Sequence, residues 1–155
     1  MPEKTLLVIT GPTGVGKTEV AIQLALAAGT EIVSADSRQL FRDIPIGTAA
    51  PTPEELALVK HHFVGILDLE DYYSAAQFEV DVLQLLKSLF VKHDVVVMCG
   101  GSMMYVDAVC NGIDDIPTIS EETRTMMRTR YEQEGLEPLL AELRLADPGY
   151  CPLYT

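Results

Sequence analysis

The sequence predicts an α/β protein built on a doubly wound parallel sheet. Three observations carry that expectation. Short apolar runs alternate along the chain with amphipathic helical patterns. A glycine-rich motif sits at the first junction of apolar run and helix. Polar clusters follow the second and fourth apolar runs, at the strand ends where ligands collect in sheets of this kind.

Taken in order, Thr5–Thr10 reads as the first strand, with Leu6, Leu7, Val8 and Ile9 apolar in succession. Lys17–Ala28 reads as a helix, stopped by Gly29, the residue type that most easily takes the left-handed conformation ending helices. Glu31–Ser34 is a second, short strand, and Ser37–Phe41 a single turn. Thr52-Pro53-Glu54-Glu55 is a capping box with proline at the first helical position, opening a short helix expected to reach Lys60. His62–Leu67 is expected as a third strand. Ser74-Ala75-Ala76-Gln77 is another capping box. It opens a helix to about Phe90 that puts Phe78, Val82, Leu85, Leu86 and Leu89 on one face. Val95–Cys99, apolar throughout, is expected at the centre of the sheet. Gly100-Gly101 ends it, and Ser102–Cys110 reads as a helix stopped by Asn111-Gly112. After Ile113 the pattern changes, because Ile119–Glu134 and Leu136–Ala146 are helical with no strand between them. The expected organisation is an α/β core over residues 1–113 and a helical segment over residues 114–155, without an internal repeat.

The motif between the first strand and its helix is Gly11, Pro12, Thr13, Gly14, Val15, Gly16, Lys17 and Thr18, a complete G-x-x-x-x-G-K-[ST] phosphate-binding loop. Its glycines let the backbone turn N–H groups inward around a phosphate, and the helix that follows aims its positive dipole end at the same place. Lys17 adds a mobile point charge, and Thr18 offers a hydroxyl to Mg2+. The motif specifies a polyphosphate with a cation and leaves open which polyphosphate and which reaction.

The composition narrows the classes. At 155 residues and 48% hydrophobic content the chain can bury a proper core. No apolar run is long enough to span a bilayer and no signal-peptide pattern opens the chain, so a cytoplasmic protein without membrane attachment is expected. Cys99, Cys110 and Cys151 lack metal-ligand spacing and read as reduced core thiols. The formal charge of −12 argues against a broad nucleic-acid-binding face and confines any such contact to a local patch. His61, His62 and His93 read as strand-end residues, since adjacent side chains on a strand point opposite ways. Tyr72 and Tyr73 suit core or rim packing, with stacking on a base as the alternative.

Two further clusters lie at strand carboxyl ends, Ser34-Ala35-Asp36-Ser37-Arg38-Gln39 and Gly100-Gly101-Ser102. Asp36 beside a phosphate loop suits a magnesium ligand, a general base or a loop cap, and Arg38 a phosphate contact or an acid partner. Together with the phosphate loop, Gly47-Thr48-Ala49-Ala50-Pro51-Thr52, Tyr73-Ser74-Ala75-Ala76-Gln77-Phe78 and Gly100-Gly101-Ser102-Met103-Met104-Tyr105, these segments resemble the tRNA dimethylallyltransferase (tRNA isopentenyltransferase) family in order and spacing as far as about Gly112. The stretch from Ile116-Pro117 looks like the start of that family's inserted helical domain. Ala50 stands where the family usually has lysine, and Ser102 replaces the usual threonine while keeping the hydroxyl. Members of the family are considerably longer, so the chain is expected to be a fragment of such a protein, its own activity in question.

The resemblance implies a P-loop NTPase-like core with the start of a helical insertion. It implies transfer of a dimethylallyl group from dimethylallyl diphosphate to the exocyclic amine of the adenine next to a tRNA anticodon, in a monomeric enzyme using Mg2+. Asp36, Lys17 and Thr13 would be catalytic, with Asp36 the candidate base. Asp36, Ser37, Arg38, Gln39, Ser102 and Arg124 would touch tRNA, and Thr18 the metal. Arg124 is equally a surface helix arginine, and Thr13 could bond the diphosphate or the base. The competing class is a P-loop small-molecule or nucleotide kinase with ATP as donor; the arginine-rich lid usual late in such chains is absent from this sequence.

Overall fold

The computed structural model describes residues 3–113 and 119–149. The chain divides into two compact units, Met1–Asp114 and Asp115–Thr155.

The first unit is a four-stranded sheet, β1 (Thr5–Thr10), β2 (Ile32–Ser34), β3 (His61–His62) and β4 (Val95–Gly100), in the order β1-β4-β2-β3 with every pair parallel. β4 is interior because its run of valines suits a strand covered on both faces. The period of two along it sorts the core into two layers. Val96 and Met98 face one side, with Val33 of β2, against Phe78, Val82, Leu86 and Leu89 of α3 (Ala75–Lys92) and Tyr105, Val106 and Val109 of α4 (Met103–Asn111). Val97 and Ile32 face the other, against Ala21, Ile22 and Ala25 of α1 (Lys17–Ala28) and Val59. The doubly wound parallel sheet expected from the sequence is therefore observed. Among the described residues β1 pairs only with β4 and ends the sheet, so that Leu7 stays 37% exposed.

Local departures have local causes. α2 (Pro53–Leu58) carries both halves of its capping box, Glu55 N–H donating to Thr52 Oγ1 and Thr52 N–H to Glu55 Oε2. It stops short of Lys60 because Val59 turns extended, at φ −142°, to bury its side chain. The strand expected over His62–Leu67 shrinks to His61–His62. Phe63 and Gly65 take left-handed φ values of 63° and 61°, which no ladder accommodates, and only a single bridge from Leu67 to Phe41 resumes the pairing. At α3 only half of the expected box forms. Ser74 Oγ accepts from Gln77 N–H, while the Gln77 side chain donates to Asp81 instead.

The second unit is a helical pair, α5 (Glu121–Glu134) and α6 (Leu136–Ala146). Ser120 caps α5, and Arg130 joins the two helices by pairing with Glu134 and with Glu142 at 2.9 Å. No described residue of either helix is buried. The Ile116–Pro117 stretch and Cys151 lie outside the described residues. No helix among the described residues is long and apolar enough to cross a membrane.

Candidate phosphate and nucleic-acid site

The loop after β1 is shaped by its glycines. Gly14 and Gly16 sit at φ 82° and 87°, a region closed to most side chains, and Gly16 leads directly into α1. No side chain caps α1, so its first N–H groups stay available to an anion. Lys17 reaches back across the loop and donates from Nζ to Pro12 O at 2.7 Å. Pro12, Thr13 and Val15 form the exposed rim beside Gly11.

A cavity of about 210 Å³ opens over this loop, lined by Thr13, Gly14, Gly16, Lys17 and Thr18 from the loop, Asp36 and Gln39 from beyond β2, Thr48 and Ala49 from the next loop, and Cys99 and Gly100 from β4. Asp36 is half-buried. Its Oδ1 accepts from Arg38 N–H at 3.0 Å, the bond of a loop-capping aspartate, and no bond to Oδ2 occurs among the described residues. The second oxygen therefore remains for a ligand. Thr18 hydroxyl and Asp36 carboxylate are hard oxygen donors of the kind that suit a divalent cation completed by phosphate oxygens and water. Among the described residues no cluster of three or more His, Cys, Asp or Glu could hold such an ion alone.

The two strand-end clusters are stitched together. Ser102 Oγ accepts from Ser37 N–H at 2.8 Å and donates to Ser37 Oγ, which is why Ser102 leaves the N-terminus of α4 without a side-chain cap. The sequence reads Gly100-Gly101 as a turn, but a closer constraint acts at Gly100. A Cβ there would lie 2.1 Å from Ala35 O, so only glycine lets β4 run against the segment that carries Asp36. Arg38 is exposed at the rim. Gln39 points inward. Its Oε1 accepts from Ser34 Oγ, and its Nε2 donates to Thr48 O and Ala49 O. Arg124 lies on α5 in the second unit, exposed and engaged with its own surroundings.

Sequence reasoning missed Cys99, Thr48 and Ala49 as cavity walls. Cys99 reads as a core thiol, but it is half-buried beside Lys17 and Asp36, and burial pushes its thiol above the ordinary range. Cys110 is exposed on α4 rather than buried in the core. The signal that could have found Cys99 was its place as the last apolar residue before Gly100-Gly101, at the carboxyl end of β4, where it pairs in register with Ser34. His61 and His62 are engaged with neighbours of their own. His62 Nε2 meets Glu31 Oε2 at 2.5 Å, and His61 Nδ1 meets Val59 O. Tyr73 donates to Asp81, and burial with that bond raises its hydroxyl far above its usual value. It packs beside the Phe63–Phe78–Tyr105 aromatic cluster rather than facing a ligand.

Residues 39–152 match the family described as IPP transferase. The chain is 64% identical over 97% of its length to tRNA dimethylallyltransferase 1 of Phocaeicola vulgatus, of which it covers 50%. It is 62% identical over 94% of its length to the protein of the same name from Bacteroides thetaiotaomicron, of which it covers 47%. It thus spans about half the length of the curated relatives it matches. Among solved structures, the full-length tRNA isopentenylpyrophosphate transferase of Bacillus halodurans matches 99% of the chain with a TM-score of 0.70 and 30% identity, over 51% of its own length. A eukaryotic dimethylallyltransferase captured acting on tRNA matches 99% of the chain with a TM-score of 0.79 and 25% identity, over 38% of its own length.

Proposed function

The chain belongs to the IPP transferase family, and from that premise we propose that its protein transfers a dimethylallyl group from dimethylallyl diphosphate to the exocyclic amine of the adenine beside a tRNA anticodon. The observation that carries this reading is the convergence of Lys17, Thr13 and Asp36 on one cavity over the phosphate loop. The diphosphate lies in the loop, held by its N–H groups, and Lys17 exchanges Pro12 O for a phosphate oxygen. As the allylic C–O bond breaks, its electron pair passes to the diphosphate. Donors already aimed there stabilise the developing charge, each by about 3 kcal/mol. Thr18 would hold Mg2+ against the diphosphate, where the ion would supply further neutralisation of the leaving group.

The adenine amine forms the new C–N bond and must lose a proton, because its lone pair is delocalised into the ring. Asp36 accepts that proton through Oδ2, its Oδ1 being held by Arg38 N–H. The target base leaves its stack to reach the cavity. Ser37, Arg38 and Ser102 stand at the rim, where the tRNA strand would pass, and Arg124 with the helical pair of the second unit would form the start of a tRNA-binding insertion. Work of this kind belongs to a cytoplasmic enzyme acting as a monomer.

Calorimetric titration with Mg2+ present tests the reading. Dimethylallyl diphosphate and inorganic diphosphate should bind more tightly than ATP. Tight ATP binding, with phosphorylation of a small-molecule hydroxyl, would transfer the site to the kinase class.

A further inference from the structure

The loop over residues 44–52 closes on itself. Ala50 N–H donates to Pro45 O, Ala49 N–H to Ile46 O, and Thr48 Oγ1 to Ile44 O and Pro45 O. Its tie to the sheet is Gln39. Ser34, only 4% exposed at the end of β2, donates its hydroxyl to Gln39 Oε1 at 3.1 Å. That bond orients the carboxamide so that Nε2 faces the loop, where it donates to Ala49 O at 3.1 Å and Thr48 O at 3.3 Å. Both amide hydrogens are spent, leaving no donor for a base edge. Ala49 meanwhile holds a left-handed φ of 48°, a conformation that persists for a residue with a side chain only where its surroundings impose it. Gln39 and Ala49 also line a second, largely apolar cavity of about 640 Å³ with Phe41, Ile46 and Leu56, into which a released loop could move.

We propose that Gln39 is a positioning residue, whose grip on the Thr48 and Ala49 carbonyls holds the 44–52 loop in its strained turn as a wall of the diphosphate cavity. This departs from the base-contacting role that the resemblance suggests for Gln39, and it rests on the reading of that cavity as a diphosphate site.

The test compares the wild-type chain with Gln39→Ala, Gln39→Glu and the double variant Gln39→Ala/Ala49→Gly, by amide hydrogen exchange without ligand and by calorimetry with inorganic diphosphate and Mg2+. Gln39→Ala should speed exchange at the Ala49 and Ala50 amides by about tenfold or more, the scale of losing two hydrogen bonds. It should weaken diphosphate binding by a similar factor. Gln39→Glu should do the same, because a carboxylate cannot donate to two carbonyls. Adding Ala49→Gly should recover part of both losses, since glycine adopts the turn without strain; a base-contacting glutamine could not be rescued this way. Unchanged exchange at Ala49 and Ala50 in the two single variants overturns the proposal whatever the chain binds. Faster exchange with undiminished diphosphate affinity overturns it equally, because the loop would then not be a wall. A wild-type chain that fails to bind diphosphate sinks the reading of the cavity, while the exchange measurement still decides whether Gln39 holds the loop.

Discussion

Asp36 has two oxygens with different obligations, one tied to Arg38 N–H and one facing the cavity beside Lys17 and Thr18. Asparagine keeps the capping oxygen and removes the base. Asp36→Asn in the whole protein should therefore cut turnover by about 10²-fold or more while leaving diphosphate affinity nearly intact. Loss of Mg2+ and diphosphate affinity together, with partial rescue by excess Mg2+, would reassign Asp36 to the cation, and wild-type turnover would leave it as a loop cap. Lys17 makes the opposite prediction. Its side chain's only hydrogen bond among the described residues is to Pro12 O, so Lys17→Ala should abolish measurable diphosphate binding while shifting stability by no more than about 0.5 kcal/mol, the usual effect of a substitution outside the core. A thermal melt beside the calorimetry checks both halves. The phosphate-loop residues that line the cavity were legible as a motif, because that motif is written in contiguous residues. Gln39 was less so. The resemblance assigns it to tRNA with Asp36, Ser37 and Arg38, and only the folded chain reveals its bonds to Ser34 and to the Thr48 and Ala49 carbonyls.

Among elements, the short β2–β3 pair carries a cluster that responds to acid. His61 is held neutral by burial, which lowers its pKa below the ordinary 6.5 even though Val59 O opposes the shift, and its buried Nε2 has no partner to receive a proton's charge. Burial acts to raise the Glu31 carboxyl, but the bonds from His62 and Lys60 prevail and set it below the ordinary 4.5. Both groups have folded values below their unfolded ones. Each therefore contributes stability above its unfolded value that is lost as pH falls through the folded one. Stability should decline in two stages on acidification, first below about pH 6.5 through His61 and then below about pH 4.5 through Glu31. Denaturant melts over that range should lose the first stage in His61→Gln and the second in Glu31→Gln; a single limb insensitive to either change would sink this account. Element existence was readable because caps and periodicity are local: Lys17–Ala28 and Leu136–Ala146 fall where Gly29 and the apolar spacing put them. The 62–67 strand was not, because nothing in the run announces that Phe63 will turn left-handed and set its ring edge-on against Phe78.

At the scale of the molecule, a charge of −12 must coexist with the proposed polyanionic substrate. The chain spans about half the length of its relatives, so we expect it to bind tRNA more weakly than a full-length relative. The longer protein's affinity should fall linearly with the logarithm of salt concentration as condensed counterions are released. Filter binding across a salt series checks this, and equal affinities for the two chains would refute it. The parallel sheet itself was legible from alternation alone, whereas strand order was not, because a crossover that places β4 between β1 and β2 leaves no mark in local sequence. That order has a consequence of its own. β1 ends the sheet, so one side of Thr5–Thr10 presents its alternate N–H and C=O groups unpaired among the described residues, on a run with no charge between Lys4 and Lys17. Such a strand is a template for intermolecular β-pairing. The 155-residue chain should accordingly form thioflavin-positive aggregates as its concentration rises, nucleated at β1, and Leu7→Lys, which sets a charge on that uncovered edge, should raise the concentration at which they appear.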